Sequence, residues 1–193
     1  MATTAGAQRR ILGVAGAPGA GKTTYALALV AASEVPAAYV PMDGFHLADV
    51  TLAALGRLER KGSPDTFDAW GYAALLRRLR EERDHVVYTP GFERNLEQPI
   101  AGALAVPPEA ELVVTEGNYL LLDTPAWRAV RAGLDEVVHL ESDDDLRRRR
   151  LVARHVEFGK TPSAAGAWVS RVDDANAALV AAAAHRADRV VRL

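Results

Sequence analysis

Gly16-Ala17-Pro18-Gly19-Ala20-Gly21-Lys22-Thr23 is the stretch of this chain that decides its fold. It fits the pattern G-x-x-x-x-G-K-[ST], in which glycines let the backbone turn sharply and point its N–H groups at an anion. The short apolar run 11–15 comes before it, and residues 24–30 after it have the pattern of a helix. Strand, glycine loop and helix are the order that this motif requires, so the stretch predicts a phosphate-binding loop, or P-loop, at a helix N-terminus.

The last two residues of the loop predict what it binds. A lysine at the position of Lys22 reaches the β- and γ-phosphates of a nucleotide, and a hydroxyl at Thr23 holds Mg²⁺. We therefore expect ATP and Mg²⁺ as ligands, with GTP as the alternative nucleotide because the sequence has no motif that reads the base. A chance glycine-rich turn is the alternative, but it does not explain Lys-Thr at this offset between a strand and a helix. The residues expected at the nucleotide phosphates are Gly16, Ala17, Pro18, Gly19, Ala20, Gly21, Lys22, Thr23 and Thr24.

Composition limits the class of protein. The chain has 193 residues, a formal net charge of −2 and no cysteine. One domain covering residues 1–193 is expected at this length, and the lack of cysteine excludes disulfides, thiolate catalysis and cysteine-based metal sites. No apolar run reaches membrane-spanning length, and residues 1–10 lack a secretory segment. The charge gives no nucleic-acid footprint, so we expect a cytoplasmic protein without membrane or nucleic-acid partners.

Beyond the P-loop, short apolar runs alternate with helical patterns, which predicts a parallel sheet with helices on both faces, a three-layer α/β/α fold. Two segments, 59–69 and 90–108, are rich in Pro, Gly and charge and do not fit this alternation. We expect them to be long functional or mobile loops. The expected strands are 37–42, 85–88, 112–115, 136–140 and 189–193, and the expected helices are 47–58, 70–83, 125–132, 143–158 and 163–185.

Two acids directly follow predicted strands, at the edge where open α/β sheets bind ligands. A carboxylate at Asp43 is placed to orient or deprotonate an acceptor hydroxyl, or to contact Mg²⁺ through water. An Asp-Gly pair is equally typical of a simple turn. Glu116 directly follows the predicted strand 112–115 and is the candidate second ligand for Mg²⁺ or a substrate. A solvent-exposed acid is the alternative for this residue.

A run of four arginines, residues 147–150, follows three acids that suit a helix N-terminus. Helical spacing places Arg147, Arg150 and Arg154 on one face, where arginines of a mobile segment can clamp a transferring phosphoryl group. A solvated basic face that pairs with neighbouring acids is the alternative. A nucleic-acid patch is disfavoured, because the run lacks interleaved aromatic residues.

Together these residues resemble the phosphoribulokinase, uridine kinase and pantothenate kinase group of P-loop kinases. Residues 42–46 are similar to the segment that carries the group's catalytic aspartate, and 60–68 resemble bacterial type I pantothenate kinases. Residues 116–122 are similar to the Glu-Gly strand end of uridine kinases, and 150–154 resemble their lid helix. Residues 92–99 fit the Phe-x-Arg-x-Leu-x-x-Pro segment of small bacterial nucleoside/nucleotide kinase family proteins.

The resemblance implies a P-loop NTPase fold with a helical lid at about 143–162, and ATP- and Mg²⁺-dependent phosphorylation of a hydroxyl on a small molecule. It implies Asp43 as base, and Lys22, Arg150 and Arg154 as residues acting on the transferring group. His155 stands where uridine kinases carry an acid, and the chain is much shorter than pantothenate kinases. Nucleosides, pantothenate-like compounds, sugars and sugar acids therefore all stay open as acceptors. The residues implied for the acceptor are His46, Tyr88, Arg94, Glu116 and Asn118, and those for the metal are Thr23 and Glu116.

A regulatory ATPase, or nucleotide switch acting on a protein partner, is the alternative function. Such a protein needs no acceptor pocket, whereas the segments 59–69 and 90–108 suit one. Edge strands and the segment 90–108 also offer a surface for a homodimer, although no feature of the sequence requires one.

Overall fold

The computed structural model describes residues 8–193, and within them seven β-strands and seven α-helices form. None of these helices is both long and apolar enough to cross a membrane. The strands are β1 (Arg10–Gly16), β2 (Ala37–Pro41), β3 (Val87–Glu93), β4 (Gln98–Val106), β5 (Leu112–Gly117), β6 (Glu136–Glu141) and β7 (Arg189–Arg192). The helices are α1 (Lys22–Ala31), α2 (Asp49–Ala54), α3 (Ala69–Glu81), α4 (Pro125–Ala132), α5 (Asp144–Glu157), α6 (Pro162–Trp168) and α7 (Asp174–Ala183).

Five of these strands form one parallel sheet in the order β2-β5-β1-β6-β7. Its central strands are apolar and buried on both faces, as parallel strands covered by helices must be. The registers place Pro41 beside Glu116, and Gly16 beside Leu140. The carboxyl ends of β1, β2 and β5 therefore meet at one edge, which brings the P-loop, Asp43 and Glu116 together.

Helices cover both faces of the sheet, so the predicted three-layer α/β/α architecture is confirmed. The larger core lies under α3, α4 and α7, and the smaller core lies under α1. Side chains of the larger core include Ile11, Tyr72, Leu76, Val113, Trp127 and Val180, and those of the smaller core include Leu12, Val14, Ala26, Val114 and Val138.

The segment 90–108 is not a structureless loop, and that prediction is wrong. Most of it belongs to an antiparallel hairpin of β3 and β4, outside the parallel sheet. The predicted strand 85–88 is the start of this hairpin rather than a sheet strand. The hairpin contains Pro90 and Gly102, residue types that disfavour strands. An unpaired outer edge and a register shift after Thr89 accommodate them.

Three further boundaries differ from the sequence prediction. Helix α2 is shorter than 47–58, because Ala48 is extended and Gly56 has a positive φ of 65°. The predicted helix 163–185 is divided into α6 and α7 by a π-helical turn, Val169–Asp173. The segment 59–69 is ordered by two 3₁₀ turns, and its Gly62 carbonyl accepts hydrogen bonds from Tyr119 and Asn176.

Gly44, which follows Asp43, is required by a close approach rather than by its backbone angles. A Cβ at this position would lie 2.4 Å from the Pro90 carbonyl oxygen, so the hairpin passes directly against the turn that carries Asp43. We expect Gly44→Ala to force β3 away and to lower the free energy of unfolding by about 1–3 kcal/mol. Denaturant unfolding measures this.

Gly166→Ala is the matched control, since nothing lies within 4 Å of a Cβ at that helical position. It should stabilise the protein by about 0.5–1 kcal/mol, because alanine loses less backbone entropy than glycine. A Gly44→Ala variant as stable as wild type would show that the hairpin does not press on this turn.

Candidate functional site

The P-loop connects β1 to α1 as the sequence predicts. Gly19 and Gly21 adopt positive φ angles of 79° and 90°, which residues with a Cβ rarely adopt, and α1 begins directly at Lys22. The loop and the first turn of α1 border a cavity of about 230 Å³, the loop cavity. It is lined by Gly19, Gly21, Lys22, Thr23, Thr24, Arg150, Leu151 and Arg154.

The side chain of Lys22 is buried at the base of the site. Its ammonium donates hydrogen bonds to the Ala17 carbonyl at 3.0 Å and to Asn118 Oδ1 at 2.6 Å. Burial lowers the pKa of Lys22, and the nearby carboxylates of Glu116 and Asp43 oppose this effect. Asn118 thus holds the lysine at the carboxyl end of β5, next to the two acids.

Glu116 is buried at the end of β5, so the alternative of a solvent-exposed acid is wrong. Its Oε1 accepts hydrogen bonds from the Thr23 hydroxyl at 3.1 Å and from the Tyr39 hydroxyl at 2.8 Å. Burial, and then the charge of Asp43, raise the pKa of Glu116. A hydroxyl and one carboxylate are oxygen donors that suit Mg²⁺, whose remaining positions are normally filled by phosphates and water. Residues 8–193 contain no cluster of three or more acidic, His or Cys side chains able to hold a metal alone.

Tyr39 belongs to this site, although its sequence context predicts only a strand. It lies on β2, opposite Val114 of β5, and its hydroxyl reaches Glu116 because these two strands are neighbours. Burial, together with the charge and hydrogen bond of Glu116, raises the pKa of Tyr39. The tyrosine therefore stays protonated and orients the carboxylate.

We expect Tyr39→Phe to raise the Mg²⁺ concentration for half-maximal nucleotide binding by about 10–100-fold, because it removes the group that orients Glu116, the metal ligand predicted from the sequence. Calorimetric titration of ATP at several Mg²⁺ concentrations measures this. Tyr25→Phe is the control, since Tyr25 lines neither the loop cavity nor the two larger cavities described below. An unchanged Mg²⁺ requirement in Tyr39→Phe would argue against Glu116 as a metal ligand.

Asp43 lies in a 3₁₀ turn, Met42–Phe45, immediately after β2. Its Oδ2 accepts a hydrogen bond from Arg94 Nη2 at 2.8 Å. Burial tends to raise the pKa of Asp43, but the charge of Arg94, with smaller contributions from other cations, outweighs burial and holds the pKa below its ordinary value. The carboxylate is therefore ionised and tied to the hairpin.

His46 closes the same turn and packs against two phenylalanines. Its ring centroid lies 3.9 Å from that of Phe67 and 5.1 Å from that of Phe92. Burial lowers the pKa of His46 to about 4, so the imidazole is neutral near pH 7. Within residues 8–193 its buried Nδ1 has no hydrogen-bond partner.

The arginines of α5 lie in two different environments. Arg147 is buried and pairs with Asp144 at 3.1 Å and Asp174 at 2.8 Å, which ties α5 to α7. Arg150 is exposed beside the P-loop, and both Arg150 and Arg154 line the loop cavity. Burial, and then the charge of Arg94, lower the pKa of Arg154. The predicted clamp residues Arg150 and Arg154 therefore lie at the P-loop, whereas Arg147 is structural.

A larger cavity of about 420 Å³, the main cleft, joins these groups. A neighbouring side cavity of about 340 Å³ lies between β2 and the hairpin, and both are lined by Thr23, Asp43, Phe92, Arg94 and Glu116. The main cleft is also lined by Pro18, Gly19, Lys22, His46, Asp49, Leu58, Glu59, Lys61, Gly62, Phe67, Glu97, Asn118, Arg154, His155, Lys160, Trp168, Asp173 and Asn176.

The structure brings all but one of the predicted acceptor residues to these cavities. Tyr88 is 65% exposed on β3 and lines none of the three, because alternation along the strand turns it away from buried Val87 and Thr89. Lys61 also lines the main cleft, although the sequence does not single it out as a site residue. Its ammonium bonds Asp49 at 2.6 Å and the Glu97 carbonyl, so it connects α2 to the hairpin turn.

Comparison with known proteins agrees with this arrangement. Residues 11–193 match the Phosphoribulokinase / Uridine kinase family. A putative uridine kinase of Schizosaccharomyces pombe is 32% identical over 79% of this chain and 68% of its own. The uncharacterized protein YggC of Escherichia coli K12 is 32% identical over 96% and 78%. The crystal structure of a putative fructose transport system kinase from Silicibacter sp. TM1040 superposes with a TM-score of 0.88 at 39% identity, covering 99% of this chain and 93% of the other.

The family match spans nearly the whole sequence, and the P-loop, Asp43 and Glu116 meet at the carboxyl edge of the sheet, as their positions after predicted strands indicate. The chain therefore belongs to the phosphoribulokinase/uridine kinase family of P-loop kinases.

Proposed function

We propose that this protein uses Mg²⁺ and ATP to phosphorylate a hydroxyl group of a small metabolite. One observation carries the proposal. The P-loop lysine, the Thr23–Glu116 oxygen pair, the carboxylate of Asp43 and the guanidinium of Arg154 all line one cleft of about 420 Å³. A cleft of this size is suited to a small ligand beside a triphosphate.

The binding groups have separate roles in this proposal. The P-loop N–H groups and Lys22 hold the β- and γ-phosphates, and Arg150 flanks them from α5. Thr23 and Glu116 hold Mg²⁺, which when bound neutralises charge on the β- and γ-phosphates. His46, Arg94 and Asn118 remain for the acceptor side.

The transfer itself follows from the position of Asp43. The acceptor hydroxyl gives its proton to the Asp43 carboxylate while its oxygen forms a bond to the γ-phosphorus. The bond between the γ-phosphorus and the β,γ-bridging oxygen breaks, and ADP leaves with that electron pair. Arg154 stabilises the charge on the transferring group.

We infer that the chain acts as one domain in which residues 143–162 approximately, chiefly α5, close over the nucleotide. Arg154 and Lys160 are carried by this segment and line the main cleft, and Lys160 lies 5.0 Å from the Trp168 ring centroid. Closure would exclude water, which is the usual purpose of a kinase lid.

Acceptor-stimulated ADP release tests the proposed function. The purified protein is incubated with Mg·ATP and a panel of nucleosides, pantothenate, sugars and sugar acids, and ³¹P NMR identifies the phosphorylated product. We expect one class of compound to stimulate ADP formation with one product phosphate per ADP, and chelation of Mg²⁺ to abolish it. Slow hydrolysis that no compound stimulates would instead favour a nucleotide switch, which needs no acceptor cavity.

A further inference from the structure

The ion pair between Asp43 and Arg94 occupies the Asp43 carboxylate, which the proposed reaction needs as its base. Arg94 follows β3 at the hairpin turn, and its guanidinium carbon lies 5.1 Å from the Phe92 ring centroid while Nη2 bonds Asp43. A carboxylate that is bound to a guanidinium is a weak base, because protonation would remove the negative charge that holds the guanidinium. The ion pair must therefore open, or Asp43 must be shared between Arg94 and the acceptor, before the acceptor hydroxyl can lose its proton.

Opening the pair leaves two charged groups that each need a new partner. Asp43 is only 26% exposed at its side chain and Arg94 39%, so water alone replaces the lost contact poorly. A hydroxyl of the acceptor can donate to Asp43, but a hydroxyl does not compensate the charge of Arg94. A ligand that supplies both a hydroxyl and an anionic oxygen compensates both.

The other acids of the main cleft do not compete for Arg94. Asp49 pairs with Lys61 at 2.6 Å, and Asp173 pairs with His155 at 2.9 Å. Glu116 accepts two hydroxyl hydrogen bonds, while Glu59 and Glu97 are exposed at the cleft. Within residues 8–193, Arg94 makes one hydrogen bond with its five N–H donors, and it lines both cavities.

We infer that the acceptor is a hydroxyl compound with its own anionic group, a carboxylate or a phosphate, which Arg94 binds as it releases Asp43. This inference rests on the proposed kinase function and names the acceptor class. The aromatic wall of His46, Phe67 and Phe92 suits the C–H faces of a polyol chain or sugar ring. Without acceptor, Arg94 keeps Asp43 engaged, so water at the site lacks a free base.

Direct binding of matched compounds tests the inference. The protein is first saturated with Mg²⁺ and a non-hydrolysable ATP analogue, which fills the P-loop. Calorimetry then compares glucose, gluconate and glucose 6-phosphate, and likewise glycerol, glycerate and glycerol 3-phosphate. In one series we expect an anionic member to bind about tenfold or more tightly than the neutral one, the size of one charge-assisted hydrogen bond. The carboxylate and phosphate members show which anion is preferred.

Variants connect that preference to Arg94. Arg94→Gln should remove the advantage of the anion, and Arg94→Lys should restore part of it. Arg77→Gln, at an exposed position of α3 that lines none of the three cavities, should keep it. Arg94→Gln should also raise ATP hydrolysis in the absence of acceptor several-fold. A merely structural arginine would not produce this gain. The wild-type comparison stands even where Arg94→Gln folds poorly.

Equal or absent binding of charged and neutral members, or unchanged selectivity in Arg94→Gln, would overturn the inference. Failure of the proposed function has a different signature. In that case the anion binds through Arg94, but with ATP no phosphoryl group reaches the bound compound. A neutral compound phosphorylated as well by Arg94→Gln as by wild type would keep the kinase and remove the anionic acceptor.

Discussion

Asp43→Asn should lower acceptor phosphorylation by about 10²–10⁴-fold, the usual contribution of a positioned general base. The amide has nearly the same shape as the carboxylate, but it cannot accept the hydroxyl proton. ATP binding should change little, because the phosphates are held by the P-loop. Steady-state kinetics with the acceptor, alongside calorimetric titration of ATP, separates the two effects.

Asp123→Asn is the matched control for this prediction. Asp123 is also an acid paired with arginines, Arg128 and Arg186, but it is exposed and lines none of the three cavities. Its variant should retain wild-type turnover. If Asp43→Asn keeps more than about a tenth of the wild-type kcat, Asp43 is not the base.

The core of the site follows from local sequence signals. The P-loop is a contiguous motif, and Asp43 and Glu116 are marked by their positions directly after apolar runs. In a parallel sheet the carboxyl ends of the strands share one edge, so placing an acid at a strand end also places it near the P-loop. For this reason the sequence predicts these residues without the strand order.

The remainder of the site depends on contacts between distant segments. Tyr39 reaches Glu116 only because β2 pairs with β5, and nothing in the sequence around Tyr39 specifies that neighbour. The partner of Asp43 is carried by a hairpin whose strands contain Pro90 and Gly102, residues that locally disfavour strands. Pairing between the two strands overrides these local preferences, as tertiary context commonly does.

Tyr88 is predicted for the acceptor site, but the structure places it outside the three cavities. An aromatic residue near the expected acceptor loop is a reasonable ligand candidate, but a shift of one residue along a strand reverses the face that each side chain occupies. The hairpin register buries Val87 and Thr89 and leaves Tyr88 exposed. A prediction of the strand does not include its register, so Tyr88 could not be placed.

Arg154→Gln should lower kcat by about 10³-fold or more, the lower range measured for arginines that stabilise a transferring phosphoryl group. Within residues 8–193 the side chain of Arg154 has no hydrogen bond or ion pair, and burial lowers its pKa. A partly buried guanidinium without a partner lowers the stability of the fold when no anion is bound. The charge of the transferring phosphoryl group supplies the missing partner, so the loss should appear in kcat far more than in the KM for the acceptor.

Thermal unfolding distinguishes this role from a structural one. Because glutamine removes a poorly compensated charge, Arg154→Gln should unfold at the same or a higher temperature than wild type while losing activity. Arg149→Gln, on the same helix but outside all three cavities, should change neither property. A variant that loses stability and activity together would identify Arg154 as a residue that holds α5 in place. Loss of activity alone would assign its charge to the transferring group.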